Sequence, residues 1–162
     1  MLCISRRTTS LAHSFSDGFN KSFKLSVTTA GGLDAADNYF GMVTRLEHQD
    51  VSHIMDNNTV TLSFYVKSSL ATTYGIVAQR FDQSEPSTGR NTYISTYTIN
   101  TANTWERKTI TIPTDSTTTG QTDNAQGLIL AWVLDLKSGG TRDDVTLGWN
   151  DSTATIQVHS SA

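Results

Sequence analysis

Residues 60–67 read Val-Thr-Leu-Ser-Phe-Tyr-Val-Lys. Val60, Leu62, Phe64 and Val66 fall on one side of an extended chain, and Thr61, Ser63, Tyr65 and Lys67 on the other. Successive side chains of a strand point to opposite faces, so this period of two predicts a half-buried β-strand. The pattern recurs along the chain. Phe23, Leu25 and Val27 alternate with Lys24 and Ser26, and Tyr74–Phe81 follows a short Ser/Thr turn. In Asn91–Ile99, Tyr93, Ser95, Tyr97 and Ile99 oppose Thr92, Ile94, Thr96 and Thr98. Trp105–Ile112 sets Lys108, Ile110 and Ile112 against Trp105, Arg107 and Thr109, and Pro113 then ends the ladder by removing a donor. Gly127–Leu136 is almost continuously apolar, as expected of a strand buried on both faces. Val145–Trp149 and Thr155–His159 complete the set.

The connections Ala30–Asn38, Asp82–Arg90, Thr114–Gln126 and Ser138–Asp144 are built from turn-forming residues. Only Leu46–Met55 reads as a short helix or turn. These features predict an all-β chain, an antiparallel β-sandwich or jelly roll of about eight strands, galactose-binding-like or carbohydrate-binding-module-like. With 162 residues, no internal repeat and no linker, a single domain is expected. Met1–Arg7 reads as a loose start, so residues 1–14 are expected to be a poorly ordered N-terminal segment and 15–162 the sandwich.

Composition narrows the function. The chain holds 26 Thr and 18 Ser, about a quarter of its residues, against 17% charged ones. Hydrophobic residues at 36% and a net charge of −3 argue against a disordered chain. The single Cys3 excludes a disulfide scaffold. A pI near 5.7 argues against nucleic acid as a partner. No apolar run is long enough to suggest a membrane span. The apolar residues Met1–Ile4 precede Arg6 and Arg7, the reverse of a secretory signal.

Catalytic patterns are weak. His48 and His53 are five apart and form no HExxH, so a metal site from Glu47, His48 and His53 is disfavoured against a polar helical turn. There is no GxSxG elbow and no Gly-rich phosphate loop before a helix. The acids lie mostly in loops, where solvation is the default reading, and no pair stands out for glycoside hydrolysis. No enzyme activity and no catalytic residue is expected. The oxygen-rich loop Thr114–Gln126 offers Asp115, Asp123 and Asn124 as a candidate Ca²⁺ site, against an ordinary exposed loop. Asn20 and Asn150 head glycosylation sequons, no more than the chance count in a chain so rich in Ser and Thr. Trp132, within an apolar run, reads as core. Tyr65, Tyr93, Tyr97 and Trp105 are the candidates for stacking on sugar rings, against cross-strand packing for the tyrosines and an edge anchor for Trp105.

Five stretches taken in order carry a resemblance: DGFNKSFKLSVTTA (17–30), YFGMVTRLEHQDVSHI (39–54), VTLSFYVKSS (60–69), YTINTANTWERKTITIP (97–113) and GLILAWVLDLKSG (127–139). Together they resemble a β-sandwich domain of tailed-phage structural proteins, of the marine phage type, which is itself similar to carbohydrate-binding-module jelly rolls. Tyr65 stands where that family often has Trp, and His48 where it usually has Gly. The resemblance spans about residues 17–149. It implies a virion structural role, in a tail fibre, tail-associated protein or capsid decoration, with glycan attachment second. Other virion proteins or copies of itself, as a homotrimer, are the implied partners, and the virion the implied location. It implies no catalytic residues; no cofactor beyond the candidate Ca²⁺ and no membrane partner is expected. The family usually continues through another strand where this chain stops, which implies a sandwich truncated at its C-terminal strand. The alternative expectation is a non-catalytic carbohydrate-binding module of a bacterial or viral extracellular protein.

Overall fold

A computed structural model describes residues 2–6, 21–26, 39–56, 58–81, 90–115, 123–136 and 147–151. These form strands β1 (Leu2–Arg6), β2 (Lys21–Leu25) and β3 (Tyr39–Glu47), helix α1 (His48–Met55), then β4 (Val60–Ser68), β5 (Thr73–Phe81), β6 (Arg90–Thr98), β7 (Glu106–Ile112), β8 (Gln126–Leu136) and β9 (Gly148–Asp151). All pairing between strands is antiparallel. One sheet has the order β2-β1-β4-β7 and the other β3-β8-β5-β6-β9.

The predicted alternation of β4 holds. Phe64 and Val66 are buried, Thr61 and Ser63 exposed, and Tyr65 and Lys67 half-buried. On β7, Ile110 and Ile112 are buried while Arg107, Thr109 and Thr111 are exposed. The buried side of this sheet meets Ile76, Ala78, Tyr97, Leu128, Leu130 and Trp132 of the other sheet in one apolar cluster. Phe64 is its centre. Its ring packs edge-on against both Tyr97, at 5.1 Å, and Trp132, at 5.6 Å.

The five-stranded sheet is buried on its second face as well. Val77, Ile94 and Ala131 are 0% exposed and form a second cluster with Val133 and Val43. On the same face Gln79 donates through Nε2 to Thr92 Oγ1 at 3.0 Å, satisfying two fully buried polar side chains. The continuous apolar run of β8 is therefore a strand buried on both faces, as its sequence predicts.

Two segments depart from the sequence reading. Leu2–Arg6, expected to be a loose start, is strand β1, lying between β2 and β4. Tyr39–Glu47, which shows no clean alternation, is a full strand paired with β8. Gly41 hides that strand in the sequence, because a Cβ there would sit 2.3 Å from the Trp132 carbonyl oxygen. The ladder shifts register beside it, between Phe40 and Gly41, and glycine marks such a close approach. Of the expected strand Val145–Trp149, Gly148 and Trp149 belong to β9, and residues 145–146 lie outside the described ones. The expected strand Thr155–His159 lies outside the described residues.

Candidate functional site

At one end of the molecule gather α1, the ends of β3, β5 and β7 and the starts of β4, β6 and β8. The N-cap residue Glu47 makes no side-chain cap. A helix start leaves backbone donors unpaired. Here the amides of His48 and Gln49 donate to the carbonyls of Ala125, at 2.9 Å, and Asp123, at 3.0 Å. The His48 ring is buried in the same corner. Its Nδ1 lies 2.8 Å from Asp123 Oδ1 and its Nε2 3.1 Å from the Phe81 carbonyl oxygen. The carboxylate and the carbonyl both accept, so each is a partner for a ring N–H. Gly127 completes the corner, since a Cβ there would come within 2.6 Å of His48 Cα.

Arg80, only 3% exposed, points from β5 into the same end. Its Nη2 donates to Asp56 Oδ1 at the C-cap of α1. Its Nη1 lies 3.5 Å from the Asp115 carbonyl oxygen and 3.6 Å from Asp115 Oδ2. Asn91 Nδ2 donates to Asp115 Oδ1 at 2.9 Å. Asp56 and Asp115 also pair through a parallel bridge. A buried guanidinium needs such partners, and its planar fork reaches two carboxylates at once.

These contacts reassign the candidate Ca²⁺ residues. Asp115 is buried against Arg80 and Asn91, Asp123 is paired with His48, and Asn124 is exposed. The two carboxylates serve separate networks, each held by its own nitrogen donors, rather than one oxygen shell. Among the described residues no group of three or more His, Cys, Asp or Glu is placed to hold a metal, so Glu47, His48 and His53 make no such site. Residues 116–122 of the loop lie outside the described ones.

The aromatic candidates divide in two. Tyr97 is 4% exposed and locked between Phe64 and Tyr74, so it is core and offers no face to a sugar. Burial pushes its phenol far above the usual range, with Tyr74 adding to the shift. Tyr93 is a latch. Its hydroxyl donates to the Thr111 carbonyl at 2.9 Å and its ring lies 5.4 Å from that of Trp149. Trp149 donates through Nε1 to the Pro113 carbonyl at 3.0 Å, so two rings from one sheet hold the end of β7 in the other.

Tyr65 and Trp105 lie elsewhere. Phe64, Val66, Ile110 and Ile112 face the core, so Tyr65 and Lys67 on β4 and Arg107 on β7 face outward. Trp105, half-buried, directly precedes β7. Tyr65 is directly opposite Arg107. Lys24 and Lys67 share this face, both being register partners of Cys3. Thr61, Ser63, Thr109 and Thr111 supply exposed hydroxyls. The face is polar, with the Tyr65 ring set in it.

Glu106 points the other way. It accepts the backbone N–H of Asn100 at 3.0 Å and of Thr101 at 2.7 Å, and pairs with Lys108. The Lys108 hydrogen bond holds its carboxyl below the ordinary value of 4.5, aided by those amides. It thereby fastens the turn in which Asn103 adopts a φ of 60°.

Sequence reasoning missed Arg80 and Asp56 and gave no weight to Lys24, Lys67 and Arg107. Alternation about Phe64 and Ile110 carried the signal for the outward cations. No short-range signal exists for Arg80, whose partners are distant in the chain. Compared with protein-family models, curated proteins and solved structures, the chain matches none. No helix among the described residues is long and apolar enough to cross a membrane.

Proposed function

We propose that this protein is a non-catalytic jelly-roll module that attaches to glycans as part of a phage virion, in a tail fibre, tail-associated or capsid decoration protein. The observation that carries the glycan reading is the outer face of the four-stranded sheet, where Tyr65 lies beside exposed threonines and a serine, with the half-buried Trp105 just before β7. Aromatic rings stack on the apolar faces of sugars, and hydroxyls match their polar edges. The order β3-β8-β5-β6 supports the jelly-roll reading, since one sheet of that fold runs in the same sequence of positions. The other sheet then has β2, β4 and β7 in jelly-roll positions, with β1 between β2 and β4. The sequence blocks around residues 60–69 and 97–113 support the virion context. The carbohydrate-binding module of an extracellular protein is the alternative setting for the same face.

A glycan array probed with the wild-type chain and with Tyr65→Ala tests the binding. Retention by at least one glycan class and its loss in the variant are expected. An array with no binder at millimolar sugar overturns the reading. Self-assembly is a second role, favoured by Phe23, which is 55% exposed on strand β2. Light scattering that finds a monomer at all concentrations rejects it.

A further inference from the structure

The outer face that carries Tyr65 has a charge pattern that neutral sugars do not explain. Lys24, Lys67 and Arg107 all point from it, and no Asp or Glu among the described residues does. None of the three cations forms an ion pair with a described residue. Two inward-facing cations are treated differently. Arg80 is set between Asp56 and Asp115, and Lys108 against Glu106. The whole chain is negative, at −3, so a face of one positive sign is a local reversal of its field. Lys24 and Arg107 are exposed, and exposed charges contribute little to folding, so stability does not account for their placement.

Spacing gives the face a scale. Adjacent strands lie about 4.8 Å apart and alternate residues about 6.7 Å along a strand. Lys24 and Lys67 thus stand roughly 10 Å apart across β1, with Tyr65 one step along β4 from Lys67. An aromatic ring is flanked by cations at about the span of one or two sugar rings. Resting on the glycan-facing reading of this surface, we infer that its ligand is an anionic polysaccharide, one whose sugars carry carboxylate or sulfate groups. The Tyr65 ring takes the apolar face of a sugar, and the cations take the anionic substituents. A nucleic acid fits less well, because three cations on a net-negative protein neutralise few phosphates.

The test is affinity electrophoresis of the full chain in polygalacturonate, dextran sulfate, neutral dextran and oligo-dT. The first two separate carboxylate from sulfate as the favoured anion. Retention by at least one of them, about tenfold stronger than by dextran, is expected. Raising NaCl to about 0.5 M, where the Debye length falls to roughly 4 Å, abolishes it. The double variant Lys67→Glu, Arg107→Glu loses about tenfold in affinity, and the milder Lys67→Gln, Arg107→Gln loses part of that. Thermal melts establish that both variants stay folded. Dextran bound as tightly as the anionic chains overturns the inference while the glycan-facing reading stands. No retention by any polymer overturns both. Oligo-dT retained as tightly as the anionic polysaccharides overturns it in favour of a general polyanion surface. Retention that survives the charge reversal overturns the assigned site.

Discussion

Arg80 and Arg107 carry the same side chain into opposite surroundings. Arg80 is buried at the helix end, with Asp56 and Asp115 closing on its guanidinium. Arg107 stands exposed on the outer face of the four-stranded sheet, opposite Tyr65 and with no carboxylate partner among the described residues. The first region ties α1, β5, β6 and the segment after β7 into one unit. The second leaves its charge to solvent and to whatever approaches. A buried charge is tolerated only with partners in place, and removing one partner strands the other. An exposed charge costs little either way, so it is open to selection for binding.

The largest break in this comparison is Arg80→Ala. It leaves the Asp115 carboxylate, 3% exposed, without its guanidinium, and a loss of about 3–5 kcal/mol in urea unfolding is expected. Gly127→Ala comes next. The added methyl meets the backbone N and Cα of His48 as well as its buried ring, and about 1–3 kcal/mol should be lost by the same measurement.

The legibility of the two regions follows the same division. Alternation is a local signal, and it sets Tyr65 and Lys67 on the polar side of β4 and Arg107 on the polar side of β7 from residue order alone. The buried network is non-local. Arg80 lies between Gln79 and Phe81 in a run that reads as a strand, and nothing nearby marks it as the partner of Asp56 and Asp115. Tyr93 and Tyr97 look alike in sequence, both on the same side of β6. One latches onto the Thr111 carbonyl and the other enters the core beside Phe64, a difference set by what the opposing sheet presents. Helix α1 is readable as a short helix, but its dependence on Asp123 and Ala125 is not.

A smaller effect separates an inward carboxylate from the outward cations. The native pKa of Glu106 lies below the ordinary 4.5, so the native state favours its charged form. Its contribution is complete above the unfolded value and is lost as pH falls through the depressed native one. Melting temperatures taken from about pH 6 to about pH 3 should fall more steeply for wild type than for Glu106→Gln. The smallest effect sharpens the comparison most. Lys67→Ala and Arg107→Ala should change folding stability by no more than about 0.5 kcal/mol, although Arg80→Ala removes the same kind of charge.

The pairing of β3 with β8 also sets a schedule for synthesis. Gly41 is the register partner of Val133, so β3 leaves the ribosome roughly 90 residues before the strand that covers its edge. At about 5–20 residues per second, Val43 and Leu46 wait on the order of 5–20 s for that partner. An apolar strand with an open edge is an aggregation hazard for that interval. Yield in a recombinant host should therefore depend on elongation speed and on chaperones that bind extended apolar segments, more than on the stability of the finished fold.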